Sequence, residues 1–336
     1  MRQTARLVLA LTLLAVAFSA TAEDELFRIL VDDRWGFMNA DGEVVIEPRF
    51  DHAYRFRNGH TVVRQGDFDT GKRAFMDAEG NLITGFTFDR AYHFAGGFAT
   101  GVINGRWGFI RPDGTTLGSF RYNAIIPFDH GHAGVRVDNG SDLFWGIIDA
   151  DGREVLPPAY PLLRYAGEGL WWVGMDWSEW ALYRPGDPAP RDFSYFTTDG
   201  FGDGHAIVRR ALADTEVYQV VTPDLTVRYH STQAVRSFGE DRVLVAGEGG
   251  LRYLSLDGEP LNEERYYSGS PFDGGVARVS VGTSWSNQKW GILGADGRYR
   301  MPPRYDSLGA FDENGIARYR IGDLFGFVDR EGEELT

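Results

Sequence analysis

Residues 145–152 read Trp-Gly-Ile-Ile-Asp-Ala-Asp-Gly. An aromatic, a glycine and two branched apolar residues suit a short strand. Asp-Gly then marks a tight hairpin, because its glycine tolerates the positive φ such turns need. The phrase returns at Trp35-Gly36-Phe37 before Asp41-Gly42, at Trp107-Gly108-Phe109-Ile110 before Asp113-Gly114, and at Trp290-Gly291-Ile292-Leu293 before Asp296-Gly297. Degenerate copies stand between: Arg73-Ala74-Phe75-Met76 before Glu79-Gly80, Leu251-Arg252-Tyr253-Leu254 before Asp257-Gly258, and Phe325-Gly326-Phe327-Val328 before Glu331-Gly332. Two more are worn, Trp180-Ala181-Leu182-Tyr183 and Tyr218-Gln219-Val220-Val221 with Asp224-Leu225. The Trp supplies a wedge for a core. The Gly beside it lets another strand approach closely.

A second signature follows each hairpin: an aromatic, two residues, then Gly. It occurs at Phe56 with Gly59, Phe94 with Gly97, Phe128 with Gly131, Phe201 with Gly204, and Phe272 with Gly275. Before it stands an aromatic-Asp step, as in Phe50-Asp51, Phe88-Asp89 and Tyr305-Asp306. That Asp is expected to cap a turn through its own backbone. In this order the motifs resemble the WG-repeat family of bacterial β-repeats. The resemblance covers essentially all of the chain after residue 22 and erodes over residues 160–265. It implies a repetitive β architecture and an interaction role, and carries no catalytic residue onto this chain.

Spacing refines the repeat. Turn positions 42, 80, 114, 152, 187, 225, 258, 297 and 332 are separated by 38, 34, 38, 35, 38, 33, 39 and 35 residues. Long and short steps alternate, so the ancestral unit reads as a pair of about 72 residues. The extra residues fall at Arg64–Lys72, Arg136–Phe144, Arg209–Glu216 and Gly282–Lys289. The expected fold is all-β: eight to nine short antiparallel meanders in tandem. They form either a closed β-propeller-like ring, which hides strand edges, or an open superhelical array. Alternation would break at the seam of a nine-membered ring, which leans toward the open array.

The first residues read as an address. Arg2 and Arg6 precede an apolar run, Leu7 to Phe18, and the small residues Ser19-Ala20-Thr21-Ala22. That is a secretory signal peptide over 1–22, cut after Ala22, leaving the β array at 23–336. The expected location is periplasmic or secreted. No later stretch is long and apolar enough for a transmembrane helix. The 336 residues include no Cys, which excludes disulfides, thiolate metal sites and a cysteine nucleophile. A net charge of −14 argues against nucleic acid as a partner.

Candidate chemistry is sparse. His130-Gly131-His132 could place two imidazoles on a metal, but reads more simply as a bend with solvated rings. His60, His132 and His205 recur as Gly-His copies that could ring an axis, or be inherited strand starts. Asp149-Ala150-Asp151-Gly152 resembles a calcium loop only superficially, because other copies carry Asn39, Arg111 or Gly294 at its first position. Trp171, Trp172, Trp177 and Trp180 crowd together with Asp176 and Glu179. Adjacent Trp171 and Trp172 must point to opposite faces of a strand. One fills the core, and the other is exposed or covered by a loop. An exposed Trp beside carboxylates suits sugar stacking or peptide binding.

The four lengthened hairpins are the best candidate partner surface, because loops on a rigid β scaffold carry binding. They hold Arg64, Asp67, Asp69, Arg136, Asp138, Asp142, Arg209, Arg210, Asp214, Glu216 and Trp285. No Walker loop, HExxH, GxSxG or strand-linked GxGxxG occurs. The expectation is an exported, non-enzymatic scaffold that binds a protein or peptide through this rim, with no cofactor and no metal. The alternatives are a carbohydrate or cell-envelope binder using Trp171, Trp172 or Trp177, and a hydrolase with an unrecognised site.

Overall fold

The computed structural model describes residues 26–335 apart from 139, 141, 199, 213 and 214. The expected leader, residues 1–22, and Asp214 lie outside the described residues. Among the described residues there is no helix, and antiparallel meanders account for every sheet. No helix among them is therefore long and apolar enough to cross a membrane. The chain divides into two compact units that meet at Arg121 and Tyr122 in sequence. The first holds three sheets of three strands. The second holds sheets of four, seven, three, four and four strands.

A full meander runs through a lead-in strand, a middle strand, the Trp-Gly strand and a return strand. Ala124–Asp129, His132–Asp138, Leu143–Asp149 and Glu154–Tyr160 form one such set. The lead-in and middle strands join through two residues that both hold positive φ, as at Asn58-Gly59, His130-Gly131 and Asp203-Gly204. Such a turn matches the twist of the paired strands and explains the Gly of the second signature. After the Trp-Gly strand, the hairpin Gly takes φ near +80°, for example +82° at Gly42 and +84° at Gly152. The worn copy keeps this conformation without glycine. Leu225 sits at φ +67° and packs against the cluster around Trp172.

The glycine of Trp-Gly is a steric requirement. Trp35 pairs with Phe50 and Phe37 with Ile46, so Glu47, Pro48 and Arg49 arch over Gly36 alone. A Cβ on Gly36 would lie 2.4 Å from the Ile46 carbonyl oxygen. The same arch crosses Gly146, with Trp145 opposite Tyr160, and Gly291, with Trp290 opposite Tyr305. Pro48, Pro158 and Pro303 stand mid-arch, where the ladder is interrupted and a missing N–H does no harm. Where Gln219 replaces the glycine, the arch is gone and His230 pairs directly opposite it.

Three return strands run into the next lead-in strand with one residue between, at Asp51, Pro161 and Asp306. Asp51 separates Val44–Phe50 from His52–Ala53, and Asp306 separates Tyr299–Tyr305 from Ser307–Leu308. These aspartates do not cap their own turns as expected. They bridge two meanders. Asp51 takes Arg34 Nη1 at 2.5 Å on one oxygen and the Gly66 N–H at 2.8 Å on the other. Asp89 takes Lys72 and the Asn104 N–H, and Asp306 takes Lys289 and the Gly322 N–H. The cation belongs to the preceding Trp-Gly strand and the N–H to the following hairpin. In the eroded middle the hand-off vanishes. Arg191–Thr198 pairs with Trp180–Tyr183 on one side and Ala206–Leu212 on the other, giving the seven-stranded sheet.

The core is a series of seams between successive meanders. Val63 faces the cluster of Phe37, Ile46 and Phe50, whereas its neighbour Val62 faces that of Phe75, Phe88 and Phe94. Inner strands are therefore covered on both faces, and adjacent apolar residues are both buried.

Gly291→Ala should destabilise the protein by about 3 kcal/mol or more in urea unfolding, because backbone must move to admit the methyl group. Gly202→Ala, with open space around its Cβ direction, should stay within about 0.5 kcal/mol. The Lys72 ammonium holds the Asp89 carboxyl below its ordinary range, and Lys289 does the same for Asp306. A carboxylate depressed in the folded state stabilises above its unfolded pKa of about 4, and that contribution fades as pH falls through the folded value. Thermal melts of Asp89→Asn/Asp306→Asn should therefore depend less on pH below about 4 than those of the parent.

Candidate functional site

The middle strand and the Trp-Gly strand join through hairpins of unequal length. Gln65 pairs with Lys72, Gly174 with Trp180, and Val281 with Lys289, leaving tips at 66–71, 175–179 and 282–288. Each tip carries one large aromatic in solvent: Phe68 at 74 % exposure, Trp177 at 79 % and Trp285 at 79 %. Phe68 belongs to the first unit, Trp177 and Trp285 to the second.

These tips are held by their own polar groups. In 282–288, Asn287 Oδ1 accepts the N–H groups of Thr283 and Ser284 at 3.0 and 2.9 Å, and its amide donates to Thr283 Oγ1 at 2.9 Å. Gln288 is buried at the base and accepts the Ser280 hydroxyl at 2.9 Å. In 175–179, Asp176 accepts both the N–H and the hydroxyl of Ser178. The hydroxyl, then the N–H, holds the Asp176 carboxyl below the usual range. The Trp180 indole N–H donates to the Trp177 carbonyl at 3.2 Å, tying the tip to the buried strand below. In 66–71, Arg73 donates to the carbonyls of Phe68 and Gly71. Arg64 lies 5.5 Å from the Phe68 ring centroid. Two of the three tips thus show an indole on a constrained loop, the arrangement that limits entropy lost on binding.

Several expectations need correction. Trp171 and Trp172 do point to opposite faces, but both are buried. Trp171 packs in the seam with Ile147 and Leu156, and Trp172 in the seam with Tyr195 and Phe201. The next meander covers the second face, so neither can be a stacking platform. Trp177 alone of the candidate platform is open to solvent. Arg209 and Arg210 lie inside Ala206–Leu212, not on a loop, because Leu212 already pairs with Thr215. There the extra residues lengthen strands. Arg210 pairs with Asp192 at 3.1 Å and Arg209 with Glu216 at 3.3 Å. Arg136 also lies within its strand, 5.8 Å from the Trp145 ring centroid. Asp138 closes the following turn by accepting the Gly140 N–H at 2.8 Å. Asp67 is exposed at the 66–71 tip, and its carbonyl accepts the Gly71 N–H.

The recurring histidines are strand starts. The Nδ1–H groups of His60, His132 and His205 donate to the carbonyls of Asn58, His130 and Asp203 at 2.7, 3.0 and 2.9 Å. His60 and His205 also pack on the Phe of the next meander, Phe94 and Phe238, at 4.5 and 4.6 Å. No group of three or more metal-binding side chains forms among the described residues. In the second unit a cavity of about 430 Å³ lies beside His205, Phe238 and Phe272, with Asp203 and Asp273 at its edge.

The sequence matches the WG-containing repeat at residues 35–67, 74–106, 107–140, 145–176 and 290–325, half of the chain. The chain belongs to the WG-repeat family. The unmatched stretch between 176 and 290 coincides with the worn repeats and the fused sheet. Among solved structures, a eukaryotic initiation factor crystal structure is similar at TM-score 0.50 and 12 % identity, over 93 % of this chain and 84 % of that one. At that identity the likeness concerns fold alone. An uncharacterized protein of Listeria monocytogenes EGD-e matches at TM-score 0.34 and 9 % identity, over 83 % and 91 %. No curated protein matches the chain.

The WG-repeat tips and seams should respond oppositely to truncation. Trp172→Ala should cost about 3–5 kcal/mol in chemical denaturation. Trp177→Ala and Trp285→Ala should each stay within about 0.5 kcal/mol.

Proposed function

We propose that this WG-repeat protein is an exported, non-enzymatic binding protein that engages a protein or peptide through its aromatic hairpin tips. The observation that carries this reading is the indole of Trp285, 79 % exposed on a loop fixed by Asn287 and Gln288. Trp177 on its Asp176-Ser178 turn supports it. An indole held in water adds nothing to the seams of the core, and tryptophan is enriched among residues that dominate binding energy. The net charge of −14 favours a partner with positive charge.

Glycan stacking is a second reading for Trp177 alone, because Asp176 and Glu179 stand beside the exposed ring. Affinity capture from envelope and culture fractions, with the parent and with Trp177→Ala/Trp285→Ala, tests both. The expected result is a specific protein partner retained by the parent and lost by the folded double variant. Retention of the same partner by the double variant would refute the tip surface. Binding to purified peptidoglycan or glycans, lost with Trp177→Ala alone, would transfer the function to the second reading.

A further inference from the structure

A pocket of about 550 Å³ opens in the first unit, lined by Leu26, Phe27, Arg28, Trp35, Arg55 and Phe56. Its apolar floor is fixed. Leu26, Trp35 and Phe56 pack on the buried cluster of Phe37, Ile46 and Phe50, and Phe56 meets Phe37 edge-on at 4.8 Å. Arg28 is positioned as well. Its Nη1 donates to the Ala53 carbonyl at 3.1 Å, and its guanidinium carbon lies 5.2 Å from the Trp35 ring centroid. Arg55 is exposed.

The local charge here is opposite to the net charge of the chain. The chain has 48 acidic and 34 basic residues; several arginines find carboxylates, among them Arg34 with Asp51, Arg153 with Asp151, Arg210 with Asp192 and Arg330 with Asp273, and others, such as Arg49 and Arg73, donate to backbone carbonyls. Among the described residues no carboxylate pairs with Arg28 or Arg55. The field nearby is positive. His52, 5.6 Å from Trp35, has its pKa lowered by burial first and then by Arg64, Arg28 and Arg73.

We propose that this pocket binds a carboxylate carried on a flat apolar ring, with Arg28 and Arg55 holding the anion and Trp35 and Phe56 the ring. Guanidinium groups match a carboxylate in two parallel hydrogen bonds, and aromatic walls supply the contact area for a ring. The volume lies in the range of small-ligand sites. A bare inorganic anion would leave the aromatic floor unused, and a neutral ring would leave two arginines unpaired. The site stands apart from the hairpin tips and does not depend on their role.

Calorimetric titration of the purified protein with 2-naphthoate and with N-acetyl-tryptophan, each against its neutral amide, tests the assignment. Both acids should bind, and their amides should bind at least about tenfold more weakly. Tighter binding of N-acetyl-tryptophan would assign the source as a peptide C-terminus, and tighter binding of 2-naphthoate a free aromatic acid. Arg55→Gln should weaken the acids about tenfold without changing the thermal melt, and Arg55→Lys should recover part of the loss. Trp177→Ala/Trp285→Ala should leave this binding unchanged. Equal affinity for acid and amide, an unaffected Arg55→Gln, or no binding of either acid would overturn the proposal. So would binding that appears only after Glu23, Asp24 and Glu25 are changed to Ser, because the anion served would then be the chain's own.

Discussion

The return strand crosses the Trp-Gly strand at a distance that only a hydrogen atom can fill. At Gly36, Gly146 and Gly291 three residues arch over one, and a carbonyl oxygen occupies the space a methyl group would need. The arch absorbs two residues and delivers an aromatic opposite the tryptophan: Phe50, Tyr160 and Tyr305. It also places the following residue at the start of the next meander. The fold is thus propagated by local geometry rather than by a central core. At Ala181 the same register persists, with Trp180 opposite Tyr195 and Leu182 opposite Arg191, and Asp192 in the arch takes φ +59°; at Gln219 the return strand runs straight.

Charge supports this propagation in a modest way. The bridging aspartates are partly exposed, so each ion pair alone contributes little. Their second oxygen satisfies a hairpin N–H, and that combination fixes how one meander follows another. A related device works at the other turns, where Glu168 accepts the Gly204 N–H at 2.7 Å and Glu240 the Gly275 N–H at 3.1 Å. Part of the acidity of the chain therefore has a structural use in joining repeats.

What the sequence made legible was what sterics impose locally. Asp-Gly, the Phe-x-x-Gly step and the Trp-Gly dipeptide each demand a backbone conformation or a close approach; the turn glycines of the repeats hold to it, and Trp-Gly receives a strand at Gly36, Gly146 and Gly291 but the Phe120 ring at Gly108. Partners supplied by the neighbouring meander stayed hidden. Trp171 and Trp172 could be placed on opposite faces, but not the seam that buries the second one. Asp51 carried a turn signature, yet its partners lie 17 residues before and 15 residues after it. Spacing locates the long steps but cannot divide extra residues between strand and tip, which is why Arg209 and Arg210 read as loop residues and stand in a strand. Phe68 is one of 23 phenylalanines and carries no motif of the repeat. Its signal was a lone aromatic between Asp67 and Asp69, in a stretch with no strand pattern. The Arg28 pocket had no motif at all, because Arg28, Trp35 and Arg55 meet only once two meanders pack.

The single-residue hand-off gives the array something like a reading frame. Strand faces alternate with every residue, so one added residue between Tyr305 and Ser307 would exchange the buried and exposed faces of whatever strand followed. The same residue added to the 282–288 tip would alter only the tip. Such a scaffold accepts length changes in its hairpins by small steps, whereas a change at a single-residue hand-off must keep the following strand in phase. Tips that differ in length from copy to copy and hand-offs of one residue are then one physical fact seen at two places in the chain.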